Sequence, residues 1–251
     1  MEQKWPTLNN PPVVAALFQL RFNPKEVRLD DFLTVDKQLK HTLPNQTKNI
    51  QVGLDLGGTS IPLGVSPISG TSDAKIGSYI YFSVDQKVKL EISENAITYI
   101  DESPYKNWDD FKMKVLKLLS ILSDVLNKVE ITRTSIRFIN RFTFKEFDHP
   151  EEYFNTLISS NRDEGLPYPL QQYGFKLVMV IPDRNIYTMV NQNVENIRSG
   201  SFIYTFDIDV IDRQNLIFNI DTLSMNMEEL RSVKNTIFFD NVTQKTLDLC
   251  N

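Results

Sequence analysis

Residues 132–144 read TRTSIRFINRFTF, and this stretch decides the fold class. Successive side chains of a strand point to opposite faces. On that count Ile136, Phe138, Phe142 and Phe144 take one side, while Arg133, Ser135, Arg137, Ile139 and Arg141 take the other. A strand that is apolar on one face and cationic on the other belongs in a sheet with one covered and one open face. Antiparallel sheets allow this; parallel sheets, covered on both faces, read as continuous apolar runs.

The same alternation recurs on both sides of this stretch. Upstream, PVVAALFQLRF (12–22) reads as a strand, with Gln19 and Arg21 opposite Phe18, Leu20 and Phe22. Downstream, SFIYTFDIDVI (201–211) sets Asp207 and Asp209 opposite Phe206 and Ile208. Further strands are expected at NIQVGLDLG (49–57), SYIYFSVD (78–85), VKLEISENAITYI (88–100), FKLVMVI (175–181), NIYTMVNQ (185–192) and LIFNID (216–221). In SYIYFSVD, Asp85 falls on the face opposite Phe82 and Val84. Helical spacing of apolar residues predicts a short helix over Leu29–Leu43 and a long one opening at Asn107. Two more helices are predicted, one over Asp148–Ile158 and a last one opening at Asn226. Asn is a favoured helix cap, and Asp109 and Asp110 sit in the first turn, where the helix dipole favours anions.

Five short matches recur in the same order, which suggests an internal repeat. Arg21-Phe22 returns as Arg141-Phe142, and Lys25-Glu26 as Lys145-Glu146. SYIY at Ser78 returns as SFIY at Ser201, Ile100-Asp101 as Ile220-Asp221, and NWDDF at Asn107 as NMEEL at Asn226. The expectation is one α+β domain over residues 1–251, built from two β-α-β-β-β-α pseudo-repeats at 12–128 and 131–249. The sheet would be mainly antiparallel with its helices on one face. That element order resembles the saddle of TATA-binding-protein-like folds, a likeness that carries no function with it.

The chemistry-bearing motifs are few. Gly53-Leu54-Asp55-Leu56-Gly57-Gly58-Thr59 resembles the first phosphate motif of sugar kinases in the actin-like ATPase superfamily. That family places the turn near its N-terminus and needs further glycine-rich motifs, yet only three of the nine glycines lie after Gly77. Asp207 and Asp209 share a strand face and could hold a divalent cation for phosphodiester chemistry, but no compact set of further ligands accompanies them. The two histidines, His41 and His149, and the one cysteine, Cys250, form no recognisable nucleophile arrangement. No cofactor is implied. Arg133, Arg137 and Arg141 could bind phosphates or carboxylates, or be neutralised by Asp207 and Asp209 on a neighbouring strand. Tyr79, Tyr81 and Phe202 could add an aromatic surface for stacking bases.

Across 251 residues, 27 basic and 32 acidic side chains leave a net charge of −5, the reverse of the usual balance in a phosphate binder. A single cysteine excludes an intramolecular disulfide framework. No apolar run approaches the ~18 residues that span a bilayer, and MEQKWPTLNN shows no leader pattern. A cytoplasmic protein without membrane contact is expected.

PPVVAALFQLRFNP (11–24), Arg137-Phe138-Ile139-Asn140-Arg141 and FDIDV (206–210) together resemble a sporadically distributed prokaryotic family of unassigned function. Members begin with a proline- and valine-rich strand ending in Leu-Arg-Phe and carry a mid-chain Arg-Tyr-Ile-Asn-Arg strand; here Phe138 replaces the tyrosine. The resemblance transfers no catalytic residue. It implies an accessory role, such as a defence or toxin–antitoxin cassette. The sequence therefore points away from an enzyme and toward a binding protein acting on a protein partner. Nucleic-acid binding through the arginine strand is the alternative, and a metal-dependent nuclease at Asp207 and Asp209 the third. Arg21, Asp85, Arg133, Arg137, Arg141, Asp207 and Asp209 form the candidate binding face. Two clusters are expected on it, Arg21 with Asp85 and Arg141 with Asp209.

Overall fold

A computed structural model describes residues 5–55, 60–62, 74–145, 152–155, 172–182, 184–197 and 201–251. The chain runs β1 (Val13–Phe22), a 3-10 helix (Leu29–Val35), α1 (Asp36–Thr42), β2 (Asn45–Asp55), β3 (Ser60–Pro62), β4 (Ala74–Phe82), β5 (Val88–Ser93), β6 (Ala96–Asp101) and α2 (Trp108–Leu126). It continues with β7 (Glu130–Phe144), β8 (Gln172–Val180), β9 (Ile186–Ile197), β10 (Ser201–Asp212), β11 (Leu216–Ile217), α3 (Ile220–Asn241) and α4 (Gln244–Asp248).

The strands form one sheet in the order β3-β2-β4-β5-β6-β1-β7-β10-β9-β8, with β11 beside β7. Among the described residues every pairing is antiparallel. β1 and β7 lie side by side, Leu17 facing Arg137, and their far edges are taken by β6 and β10. β8 ends the order and carries exposed Val178, Met179 and Val180.

Alternation divides the side chains as the sequence suggests. Phe18 and Leu20 on β1, Ile136 and Phe138 on β7, and Phe206 and Ile208 on β10 join one core with the buried stripes of α2 and α3. Phe138 is the hub of an aromatic group, with ring centroids 5.5 Å from Phe111, 5.7 Å from Tyr105 and 6.3 Å from Trp108. The opposite face carries Leu17, Gln19, Arg21, Arg133, Arg137, Ile139, Asp207 and Asp209, none of which belongs to that core. Tyr79 and Tyr81 do not join this outer face. Both point into the core, and their hydroxyls donate to Asp30 and Asp36 (3.0 Å each), fastening the 3-10 helix and α1 to β4. Phe202 packs against the same core from β10.

Several expectations need correction. VKLEISENAITYI is two strands, β5 and β6, folded back at Glu94–Asn95, so the first half has more strands than β-α-β-β-β-α allows. α3 opens at Asn219, whose Oδ1 accepts from the Thr222 N–H at 2.9 Å, and not at Asn226. Asn226 lies inside α3, buried, and donates to Asp212 at 2.6 Å. Two of the five sequence matches therefore fall on unlike elements, β6 against the start of α3 and a cap against a helix interior, and a third pairs β4 with β10, strands at different places in the sheet. Most of the helix expected over Asp148–Ile158 and the Gly57-Gly58-Thr59 turn lie outside the described residues. Within the former, Phe154 forms an isolated bridge with Val242.

The position of Phe138 gives a direct check of this division. Phe138→Ala should lower the unfolding free energy by about 3–5 kcal/mol. Ile139→Ala, one residue on and facing outward, should cost about 1 kcal/mol or less. Urea denaturation of both variants measures the contrast; equal losses would mean that β7 is placed in the wrong register.

Candidate binding face

The centre of the outer face is built from β7, β10 and β9. Asp207 stands across from Ile139 on one side and Asn191 on the other, while Asp209 stands across from Arg137 and Met189. Arg137 reaches past its direct neighbour to the diagonal carboxylate. Its Nε donates to Asp207 Oδ1 at 2.8 Å and its Nη2 to Oδ2 at 2.7 Å, a two-pronged geometry that lysine cannot reproduce. Asn191 Nδ2 adds a third bond to Asp207 Oδ2 at 3.1 Å. The Asp207 contact raises the basicity of Arg137.

Asp209 is served less well. Arg133 Nη2 stands 3.7 Å from its Oδ2, while Asp209 Oδ1 and Arg133 Nε are buried with no hydrogen-bond partner among the described residues. Burial pushes the Asp209 carboxyl up to about 6, against the pull of Arg133 and Arg137 and with the help of Asp207. Arg133 is itself lowered by burial and by the charges of Arg21 and Arg213, against the opposing pull of Asp209. Arg21 lies directly across from Arg133 on β1, and Arg213 follows β10 with its guanidinium 4.6 Å over the Tyr187 ring. Arg21 and Arg213 thus gather around Arg133, whose one carboxylate partner, Asp209, is poorly matched to it.

The expected Arg–Asp clusters are not the ones that form. Asp85 lies in the exposed turn between β4 and β5, where its Oδ1 accepts from Ser83 Oγ at 2.6 Å and from the Lys87 N–H at 3.2 Å. The strand ends at Phe82, so alternation no longer applies at residue 85. Arg21 Nε donates to Gln19 Oε1 at 3.1 Å. Arg141 is exposed, sits across from Thr205, and has no ion-pair partner among the described residues. Asp209 therefore associates with Arg133, and Asp207 with Arg137.

Sequence reading missed the third side of this site. Arg137, Asp207, Asn191, Asn193, Gly174 and Lys176 line an open depression of about 500 Å³. A Cβ at Gly174 would fall 2.3 Å from Asn193 Oδ1, so any larger residue would push that amide from its place across β8. The alternation of Asn191 and Asn193 along β9 was a usable signal, but it names a partner only once the β9–β10 register is known.

Among the described residues, no group of three or more His, Cys, Asp or Glu side chains is arranged to hold a metal ion. Both Asp207 oxygens are already engaged by Arg137 and Asn191. Cys250 is buried, its Sγ donating to the Thr246 carbonyl at 3.5 Å, and burial raises its thiol. No described helix is long and apolar enough to cross a membrane. No family model, curated protein or solved structure matches the chain.

The Asp209 carboxyl keeps its proton in the folded chain up to about pH 6, and in the unfolded chain only to about pH 4. Folding therefore takes up a proton between those values, and this group's contribution to stability falls as pH rises through them. Asp209→Asn does not titrate. Its stability relative to the parent chain should improve by about 2 kcal/mol between pH 4 and pH 7.5. Urea midpoints at the two pH values measure the gap; an unchanged gap would show that Asp209 titrates normally.

Proposed function

We propose that the chain is a non-enzymatic binding protein that docks a protein partner on the outer face of its sheet. The observation that carries this reading is the internal matching of Arg137 by Asp207, held by two hydrogen bonds at the centre of the face. A polyphosphate track laid across that centre would meet two carboxylates. A protein surface can complement both signs and also cover the half-buried Leu17, Ile100, Ile139 and Ile203 around them. The residues once available for stacking bases, Tyr79, Tyr81 and Phe202, are turned toward the core. The gathering of Arg21 and Arg213 beside Arg133 favours a partner that presents acidic side chains there.

That same cluster supports the second reading, nucleic-acid binding, because Arg21 and Arg213 add positive charge beside Arg133, which has only Asp209 opposite it. The resemblance to a scattered prokaryotic family adds the proposal of an accessory or defence cassette. Descent from a duplication is also proposed. It is supported by β1 and β7 pairing side by side, each bordered by the last long strand of its own half, β6 or β10.

Exposed Arg21 and Arg141 flank the centre without joining either Arg–Asp pair. The double variant Arg21→Glu, Arg141→Glu should stay folded and lose at least about ten-fold in affinity for a partner captured by the parent chain. Unchanged capture would remove the outer face from consideration. Fluorescence anisotropy with short DNA and RNA separates the two readings. Weak binding with a shallow salt slope is expected; a steep negative slope that flattens in Arg133→Gln would establish phosphate contacts.

A further inference from the structure

On the covered side of the sheet, Lys234 of α3 is half-buried and directs its amine onto the aromatic group. Its Nζ lies 4.5 Å from the centre of the Phe138 ring, the same ring packed by Tyr105, Trp108 and Phe111. Among the described residues, no hydrogen bond or ion pair reaches this amine. The two carboxylates that most closely precede it on the same helix are committed elsewhere: Glu229 accepts from Arg184 Nη1, and Glu228 from three donors. Those three are Trp108 Nε1 at 2.8 Å, Lys112 Nζ at 2.6 Å and Arg231 Nη1 at 3.3 Å. The Phe138 ring beneath is packed by the phenol of Tyr105, the indole of Trp108 and the ring of Phe111, none of which supplies an anion. The charge that acts on Lys234 is Arg231, one turn earlier on α3, with its guanidinium 5.3 Å over the Trp108 ring.

A buried ammonium needs a carboxylate or a full shell of acceptors, and an aromatic face replaces only part of its hydration. Lys234 has the ring and a neighbouring cation but no anion. We propose that Lys234 is a nucleophilic amine and a site of acylation by small acyl phosphates. An unpaired amine on an apolar floor is held in its reactive, neutral form, as in lysines activated by desolvation beside another cation. Arg231 suits an anionic leaving group.

In the reaction the Nζ lone pair attacks the acyl carbon. An N–C bond forms and the C–O bond to phosphorus breaks. Inorganic phosphate departs with the electron pair, and the proton lost from nitrogen passes to it or to water. The product is an uncharged amide over Phe138 that can no longer take up a proton. The site is independent of the outer face, so its failure would leave the docking proposal untouched.

The test uses the intact chain and acetyl phosphate, with acetyl occupancy at each lysine followed over time by mass spectrometry between pH 6 and pH 10. Burial and Arg231 lower the Lys234 amine to about 7. At pH 7.5 it should therefore acquire acetyl about ten-fold faster than the exposed Lys106 and Lys117, with a rate that levels off above neutrality while theirs keep rising. Arg231→Gln should move that levelling to higher pH. Acetylation of Lys234 no faster than Lys117, protection at every pH, or a rate still climbing at pH 10 would overturn the proposal.

Discussion

The pairing of β1 with β7 is the constraint on which the rest of the molecule depends. It brings together residues about 120 positions apart, with Leu17 facing Arg137 and Phe18 facing Ile136, and turns two antiparallel half-sheets into one. Because side chains alternate with a period of two, a slip of one residue would carry Phe138 to the outside and Arg137 into the aromatic core. The apolar side of this ribbon positions α2 and α3. Its polar side positions Arg133 and Arg137 where β10 can present Asp209 and Asp207. The core and the candidate face are thus two readings of one register.

The local part of that arrangement was legible in the sequence. The alternation along 132–144 and 201–211 shows which residues face which way, and Asn107 caps α2 as its chemistry suggests, accepting from the Asp110 N–H at 2.9 Å. What could not be read depended on contacts made far along the chain. Asn219 and Asn226 are equally good caps in isolation. The choice is made by tertiary contacts: the Phe218 N–H donates to the Val129 carbonyl at 2.9 Å, and Asn226 reaches buried Asp212. The Glu94–Asn95 turn lacks the glycine that usually marks a tight hairpin, so two strands read as one.

The same limit governs the face. Alternation placed Arg137, Asp207 and Asp209 on one side, which the structure shares. It could not supply the diagonal reach of Arg137 to Asp207, because that follows from cross-strand register between residues 70 positions apart. Asp85 was misplaced for the opposite reason: a short-range bond from Ser83 closes a turn where a strand was expected to continue. The arginine strand is consequently less free than its sequence suggests. Its central member is engaged, and its unmatched charge has moved to the end where Arg21 and Arg213 join Arg133.

The order of the strands also bears on how the molecule assembles as it is made. β1 finds its first neighbour in β6, after about 80 residues have been added, and its second only when β7 emerges. Until then a half-formed sheet presents β1 as an open edge, apolar on the side that faces the core. Long-range pairing of this kind slows folding and leaves edges exposed to other chains. Two nascent copies meeting at that stage could exchange β7 strands, each completing the other's ribbon. The central seam that unifies the finished sheet is thus also the place where a newly made chain is most open to its own kind.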